Sequence, residues 1–186
     1  IREKNSPINN NKMFFEIIIA PEITPDGLDH LSKKSKDLRI LTMNQYDWTI
    51  PSNDYISIHG GFLSQTIDYA EENFNLISGE ELKSSQLKDL TIAWKVVKHI
   101  KSNAITIVKN GILIGMGAGQ PNRVESTKLA ISQAKDNVKN SVLASDAFFP
   151  FPDSVELAGI AGVQAIAQPG GSIRDEETIQ AVEKYN

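Results

Sequence analysis

Four short stretches of the sequence carry the side chains that chemistry needs. Ser145–Asp153 (SDAFFPFPD) sets Phe148, Phe149 and Phe151 among aspartates and prolines. A strand-to-helix loop is normally polar and exposed, so aromatic rings there require cover, either from the protein's own core or from a flat ligand. Asp146, beside Ser145, reads as a structural carboxylate or as an oxygen ligand for a hard cation. Asp153 reads most simply as the N-cap of the helix that follows. In Gly115–Arg123 (GMGAGQPNR) the glycines permit close backbone approach. Arg123 is either a surface arginine or a planar cation for phosphate and carbonyl oxygens at a helix start. Gln168–Ser172 (QPGGS) has the outline of a backbone nest for phosphate or carboxylate, a weak signal by itself. Asn103, next to Ser102, either caps the preceding helix or turns its amide toward a ligand.

Other chemistries are excluded or disfavoured. The chain has no cysteine, which removes disulfides, thiolate metal sites and a cysteine nucleophile. Its three histidines, His30, His59 and His99, have no metal-ligand spacing. Lys98 and His99 are adjacent on a predicted buried helix and point about 100° apart, which argues against an acid/base pair. Gln120 and Pro121 stand where a dinucleotide fingerprint needs its third glycine, and the preceding strand belongs to a hairpin, so a nicotinamide-type site is disfavoured. The net charge of -4 gives no footprint for nucleic acid. With 40% hydrophobic residues in 186, the composition supports a sizeable core, and no apolar run is long enough to span a bilayer. A cytoplasmic protein without membrane or nucleic-acid partners is expected.

The elements that must position these residues follow from periodicity. Residues 1–13, polar at first and without an initial methionine, are expected to be a trimmed or disordered end. Phe14–Ala20 (FFEIIIA) reads as a buried strand, and Thr24, Pro25 and Asp26 open a helix with Leu28 and Leu31 inward. Leu38–Met43 is a second strand, Asn44–Asn53 a loop with Trp48 and Pro51, and Tyr55–Ile58 and Phe62–Gln65 are strand-like about Gly60-Gly61. Thr66–Glu80 is a connector. From Ser84, Leu87, Leu90, Trp94 and Val97 recur at helical spacing, widened by Ala93, Val96 and Ile100. Ile105–Val108 and Ile112–Met116 flank Asn110-Gly111, a strong hairpin signal because both turn residues need positive φ. A helix over Val124–Asn137 carries Thr127, Ile131 and Ala134 on one side. The strand Val142–Ala144, a helix over Ser154–Ala161, the strand Val163–Ala167, and a helix opened by a Ser172/Asp175 capping box complete the chain.

Strands joined by helices run parallel, and ligands of open α/β sheets bind at the strands' carboxyl edge. Arg123, the Ser145–Asp153 loop and Gln168–Ser172 are therefore expected at one edge. The fold class is α/β, and the element order resembles the three-layer α/β/α cytidine deaminase-like fold over residues 81–186. Residues 14–80 supply the remainder of a first, similar subdomain and a connector. The zinc chemistry of that fold has no ligands here, since cysteine is absent and neither helix start carries His with Glu.

The segments WKVVKHIKSNAI, GMGAGQPNRVES, ASDAFFPFPDSVELA and QPGGSIRDEETI, with FFEIIIAP and GGFLSQ earlier, resemble the transformylase part of the bifunctional AICAR transformylase/IMP cyclohydrolase family. The similarity runs from about Phe14 to Tyr185 and is densest from Trp94 to Glu176. It implies formyl transfer from 10-formyltetrahydrofolate to the amine of AICAR in purine biosynthesis, by a homodimer of paired deaminase-like subdomains. It implies AICAR contacts from Asn103 and Arg123, and a folate site lined by Val124, Phe148, Asp153, Ser172 and Ile173. It also implies a potassium ion near Ser102 and the Asp146 carboxylate, with backbone oxygens of Val96, His99 and Ala104. The family's Lys-His-Val-Ser-Pro-like catalytic motif has no match here, nor do its arginine-histidine tail and its cyclohydrolase domain. Pro152 stands where an arginine is common. The chain is therefore expected to be the later part of a transformylase domain, inactive alone. The alternative is a non-catalytic nucleotide- or folate-binding or dimerisation module.

Overall fold

A computed structural model describes residues 16–33, 35, 37–43, 52–70 and 72–185. The expected N-terminal end, the start of the first strand at Phe14 and the loop around Trp48 and Pro51 lie outside the described residues. The chain forms two units that divide between Tyr69 and Ala70.

In the first unit, strand β1 (Ile17–Ala20) leads to helix α1 (Pro25–Ser32) and strand β2 (Arg39–Thr42). β1 and β2 pair in parallel, Ile17 opposite Arg39 through Ala20 opposite Thr42. Thr24 caps α1 by accepting the Gly27 N–H at 3.2 Å, and Pro25 occupies the first turn, where its missing N–H costs nothing. Two expectations are corrected here. Ile17 and Ile19 are exposed, because a two-stranded sheet with a single crossover helix leaves one face bare. Of the two leucines expected inward on α1, only Leu31 is buried and Leu28 is exposed. The two strand-like stretches about Gly60-Gly61 form strands β3 (Asn53–Ile58) and β4 (Gly61–Thr66), which pair as a hairpin that their sequence reading did not specify, antiparallel from Asn53–Thr66 to Ile58–Gly61. Tyr55 and Phe62 meet edge to face at 5.5 Å on one side of this ribbon. Ile56, Ile58 and Leu63 lie on the other side, and both sides are exposed.

The second unit is built on a four-stranded sheet. Its elements are helix α2 (Ser84–Val97), strands β5 (Ile105–Lys109) and β6 (Ile112–Gly117), helix α3 (Arg123–Ala134), strand β7 (Ser141–Ser145), helix α4 (Asp153–Ala161), strand β8 (Val163–Ala167) and helix α5 (Asp175–Glu183). Spatial order is β6-β5-β7-β8; β5 runs antiparallel to both neighbours, and β7 and β8 are parallel. β6, β7 and β8 thus share a direction, and their carboxyl ends share an edge with the amino end of β5. Strand alternation splits the core. Ile105, Ile107 and Leu143 join Ala130, Val155, Ala158 and Ala181 from α3, α4 and α5, while Val108, Val142 and Ala144 join Leu90, Ala93 and Val97 of α2. Helices therefore cover both faces of the sheet. The connector packs Phe74 edge to face on Trp94 at 5.8 Å and lays Leu82 against the α2 side of the core.

The hairpin turn forms as its sequence requires: Asn110 and Gly111 have φ of 53° and 77°. Asp89 of α2 accepts both turn amides, Asn110 N–H at 2.7 Å and Gly111 N–H at 2.6 Å, a contact that sequence spacing does not reveal. Three local expectations shift. Leu87 is exposed, so the apolar stripe of α2 is carried by Leu90, Ala93 and Val97. α2 stops at Val97, and the His99 and Ile100 amides close its last turn on the Val96 and Val97 carbonyls. His99 is therefore an exposed turn residue rather than a helical, buried one. The third helix begins one residue early, at Arg123, and passes into a 3-10 turn at Lys135–Val138.

Candidate functional site

Three chain segments meet at the carboxyl edge of the sheet, as the parallel crossovers require. Their centre is Asp146, the first residue beyond β7. Its Oδ1 accepts Arg123 Nη2 at 2.8 Å and the Ala104 N–H at 3.0 Å, and its own N–H donates to the Ala104 carbonyl at 3.2 Å. Burial pushes this carboxyl upward more strongly than any other single influence. The hydrogen bonds from Arg123, Ser102 and Ala104 and the guanidinium charge together outweigh it, and the pKa ends below the ordinary aspartate value of 3.8.

Arg123 is the first residue of α3, where Asn122 caps the helix by accepting the Glu125 N–H at 2.9 Å. Its side chain is only 9% exposed, and its Nε is buried with no hydrogen-bond acceptor among the described residues. Gly115 and Gly117 place it there. A Cβ at Gly117 would overlap the Ser126 carbonyl, and one at Gly115 the Ala130 carbonyl, so the glycines let α3 lie directly on β6. The close approach expected of these glycines is thus to a helix. Asn103 is not a helix cap: its Nδ2 donates to the Gln120 carbonyl at 2.9 Å, and its own carbonyl accepts the buried Ser126 hydroxyl at 2.7 Å. The Ser102–Asn103 peptide is cis.

The aromatic loop divides its three rings. Phe149 is 1% exposed and belongs to the core, whereas Phe148 and Phe151 are 41% and 49% exposed. Both readings of the loop therefore hold in part, with one ring covered by the fold and two bare. Asp153 is the first residue of α4 rather than its N-cap, because Pro152 takes the cap position, and its carboxylate accepts the adjacent Ser154 N–H. The Ser172/Asp175 box does not form either. Gly170 and Gly171 turn the chain at positive φ, Asp175 reaches back to the Gly171 N–H at 2.7 Å, and Ser172 accepts the Arg174 N–H at 3.1 Å. The fifth helix consequently starts at Asp175. Ile173 stands wholly exposed, and Val124 is half-buried on α3.

Two side chains, Gln168 at the head of the QPGGS corner and Arg174 beyond it, tie the loops together. Gln168 Oε1 accepts the Phe149 N–H at 2.6 Å, and the Arg174 guanidinium lies 4.9 Å from the centroid of the Phe151 ring. Their signal in the sequence was only that they flank the Pro-Gly-Gly corner. The site thus combines a charge-paired arginine, a carboxylate, two bare aromatic rings and a glycine corner along one edge. Among the described residues no group of three His, Cys, Asp or Glu side chains is placed to hold a metal, and no helix is long and apolar enough to cross a membrane.

Residues 4–133, well over half of the chain, match the family model described as the AICARFT/IMPCHase bienzyme. The chain belongs to that family. Members similar to it include the bifunctional purine biosynthesis protein PurH of Caldicellulosiruptor saccharolyticus, 49% identical over 177 residues, which is 94% of this chain and 34% of that protein. The proteins of the same name from Bacillus thuringiensis and Bacillus cereus are each 48% identical over 178 residues, 94% of this chain and 35% of theirs. The chain therefore spans about a third of the length of the curated family members it matches. The family model ends at residue 133, so it takes in Asn103 and Arg123; the pairwise likeness extends beyond it toward the loops after β7 and β8.

Proposed function

We propose that this chain is the later part of a transformylase domain and forms the ligand edge for formyl transfer from 10-formyltetrahydrofolate to AICAR. The carrying observation is Arg123, nine-tenths buried at a helix start, paired with Asp146, and left with an unmet donor at Nε. Polar atoms unmet inside a site are where a bound group completes the hydrogen bonding. The amine of AICAR is a poor nucleophile because its lone pair is delocalised into the imidazole and carboxamide. Transfer to it depends on positioning and on stabilising developing charge. On this reading Arg123 and Asn103 hold the nucleotide, while Phe148, Val124, Asp153, Ser172 and Ile173 line the folate side, where a flat pterin covers the bare ring.

The catalytic lysine and histidine of the family motif have no counterpart in the chain, so it binds without turning over. The bare faces of β1–β2 and the two-sided apolar ribbon β3–β4 support the incomplete-domain reading, since small sheets of this kind are not stable uncovered. They also suit the homodimer that the resemblance implies. A deaminase-like architecture agrees with helices on both faces of a sheet in this strand order.

The oxygen-only donor set of Ser102, Asp146 and the Val96, His99 and Ala104 carbonyls fits a hard monovalent cation. Val96 lies in the last turn of α2 and His99 just beyond it, and Ser102 hydrogen-bonds the Asp146 carboxylate, which is held ionised. Potassium there would be structural, fixing the corner beneath the loop. Titration calorimetry of the chain with AICAR nucleotide and with 5-formyltetrahydrofolate, and a turnover assay with AICAR nucleotide and 10-formyltetrahydrofolate, test the reading. Binding of both without turnover is expected, and binding of neither, or formyl transfer by the chain alone, refutes it. Exchanging potassium for sodium should lower the melting temperature of the chain, and Asp146→Ala should abolish that difference.

A further inference from the structure

Resting on the folate-side reading, we infer that Arg174 and Gln168 are positioning residues that hold the aromatic loop in the shape that receives a flat ligand. The loop from Asp146 to Pro152 has one ring anchored in the core and two rings outside it. An exposed phenylalanine between prolines has little of its own to fix its direction. Here the fixing comes from the neighbouring corner, and it comes from side chains. Gln168, the first residue beyond β8, takes the Phe149 N–H at 2.6 Å and so sets the backbone from which Phe148 projects. Arg174, six residues on, lays its guanidinium over Phe151 with the Cζ atom 4.9 Å from the centroid.

The corner between these two ties is itself fastened. Asp175 Oδ2 accepts the Gly171 N–H, Ser172 accepts the Arg174 N–H, and Thr178 Oγ1 donates to the Arg174 carbonyl at 3.4 Å. The Arg174 guanidinium also sits 3.8 Å from Glu177 Oε2, which limits its rotation. The Gly171 amide is thus already occupied by a carboxylate of the same chain, so the corner does not serve as the empty anion nest its sequence suggests. Its work is to present Arg174 to the ring. A guanidinium stacked on one face of Phe151 orders that ring and leaves its far side for a second planar group; a lysine keeps the charge but not the plane.

The test uses the intact chain, labelled with 4-fluorophenylalanine, together with Arg174→Ala, Arg174→Lys and Gln168→Ala. In the ligand-free chain the Phe151 fluorine resonance should move in Arg174→Ala, and amide exchange at Phe149 should rise at least tenfold in Gln168→Ala. In calorimetry, Arg174→Ala should weaken 5-formyltetrahydrofolate by about threefold, the size expected of an exposed cation–π contact, and Arg174→Lys should recover part of it. AICAR nucleotide affinity should stay within about twofold, a split between the two ligands that general unfolding does not produce. Undiminished folate binding in both Arg174→Ala and Gln168→Ala overturns the inference. Failure of the unsubstituted chain to bind folate, with the fluorine and exchange effects intact, instead removes the folate reading and with it the ligand role, leaving a loop tie alone.

Discussion

Asp146→Ala is the substitution from which most can be learned. It deletes the acceptor of Arg123 Nη2 and of the Ala104 N–H, in a place where the arginine side chain is only 9% exposed. Breaking a buried pair by removing one partner strands the other charge and costs about 3–5 kcal/mol, against a total stability of about 5–15 kcal/mol for an ordinary domain. Arg123→Met removes the stranded charge, so the double substitution should recover about 2 kcal/mol relative to the sum of the singles. Urea unfolding followed by tryptophan fluorescence reads this directly, since Trp94 lies on α2 of the same unit, edge to face with Phe74. With a slope of about 2 kcal/mol per molar urea, Asp146→Ala should lower the midpoint by roughly 2 M. Additivity of the two singles within about 0.5 kcal/mol, or a loss below about 1 kcal/mol for Asp146→Ala, would mean that the pair is a solvent-screened surface contact and not the buried centre of the site.

Three further outcomes follow from named contacts. Because the Asp146 carboxyl is held below its ordinary value, its contribution is fully present above pH 3.8 and is lost as pH falls through the lowered folded value. The urea midpoint of the unsubstituted chain should drop more steeply on acidification than that of Asp146→Ala, and parallel curves would contradict the assignment. Phe149→Ala, deep in the core, should destabilise by about 3–5 kcal/mol, and a loss under about 1 kcal/mol in urea unfolding would show that the ring is not an anchor. Asp89→Ala strands the turn amides of Asn110 and Gly111, and a loss of about 1–3 kcal/mol is expected, with faster amide exchange confined first to the hairpin tip.

Much of this architecture is legible in the sequence. The Asn110-Gly111 turn, the alternation of helices and strands after Val124, and the meeting of the three loops at one edge all follow from rules that act locally or through crossover handedness. What was not readable depends on tertiary choices. Gly115 and Gly117 announce a close backbone approach in the sequence but not what approaches, and the partner is α3. Leu28 and Leu87 fit an apolar stripe by spacing alone, yet stripe width is set by what packs opposite, and nothing in the chain's own helical period says where it ends. Asp153 and Ser172 are good capping residues, but Pro152 and the paired glycines at 170 and 171 moved the helix starts by their own backbone demands. The roles of the Gln168 and Arg174 side chains are not legible in the sequence because each acts on a residue that only the fold brings near it.

The antiparallel β5 has a consequence that strand-end rules do not supply. In an all-parallel sheet every residue at the carboxyl edge comes after a strand; inserting β5 in reverse brings Ser102–Ala104, which precede a strand, to the same edge. Two chain segments of different origin thereby meet Asp146. α3 arrives with its N-terminus, the positive end of its dipole, and with Arg123, while the chain leaving the C-terminal, negative end of α2 delivers Ser102 and the Ala104 amide. The edge is therefore joined through a single carboxylate. An anionic group is favoured beside Arg123 and the α3 N-terminus, and Asp146 ties that arginine to the Ser102–Ala104 segment. Any substitution that neutralises Asp146 should therefore loosen the Ser102–Ala104 segment as well as Arg123, whereas one at Arg123 should weaken anion binding and leave the Asp146–Ala104 contacts in place.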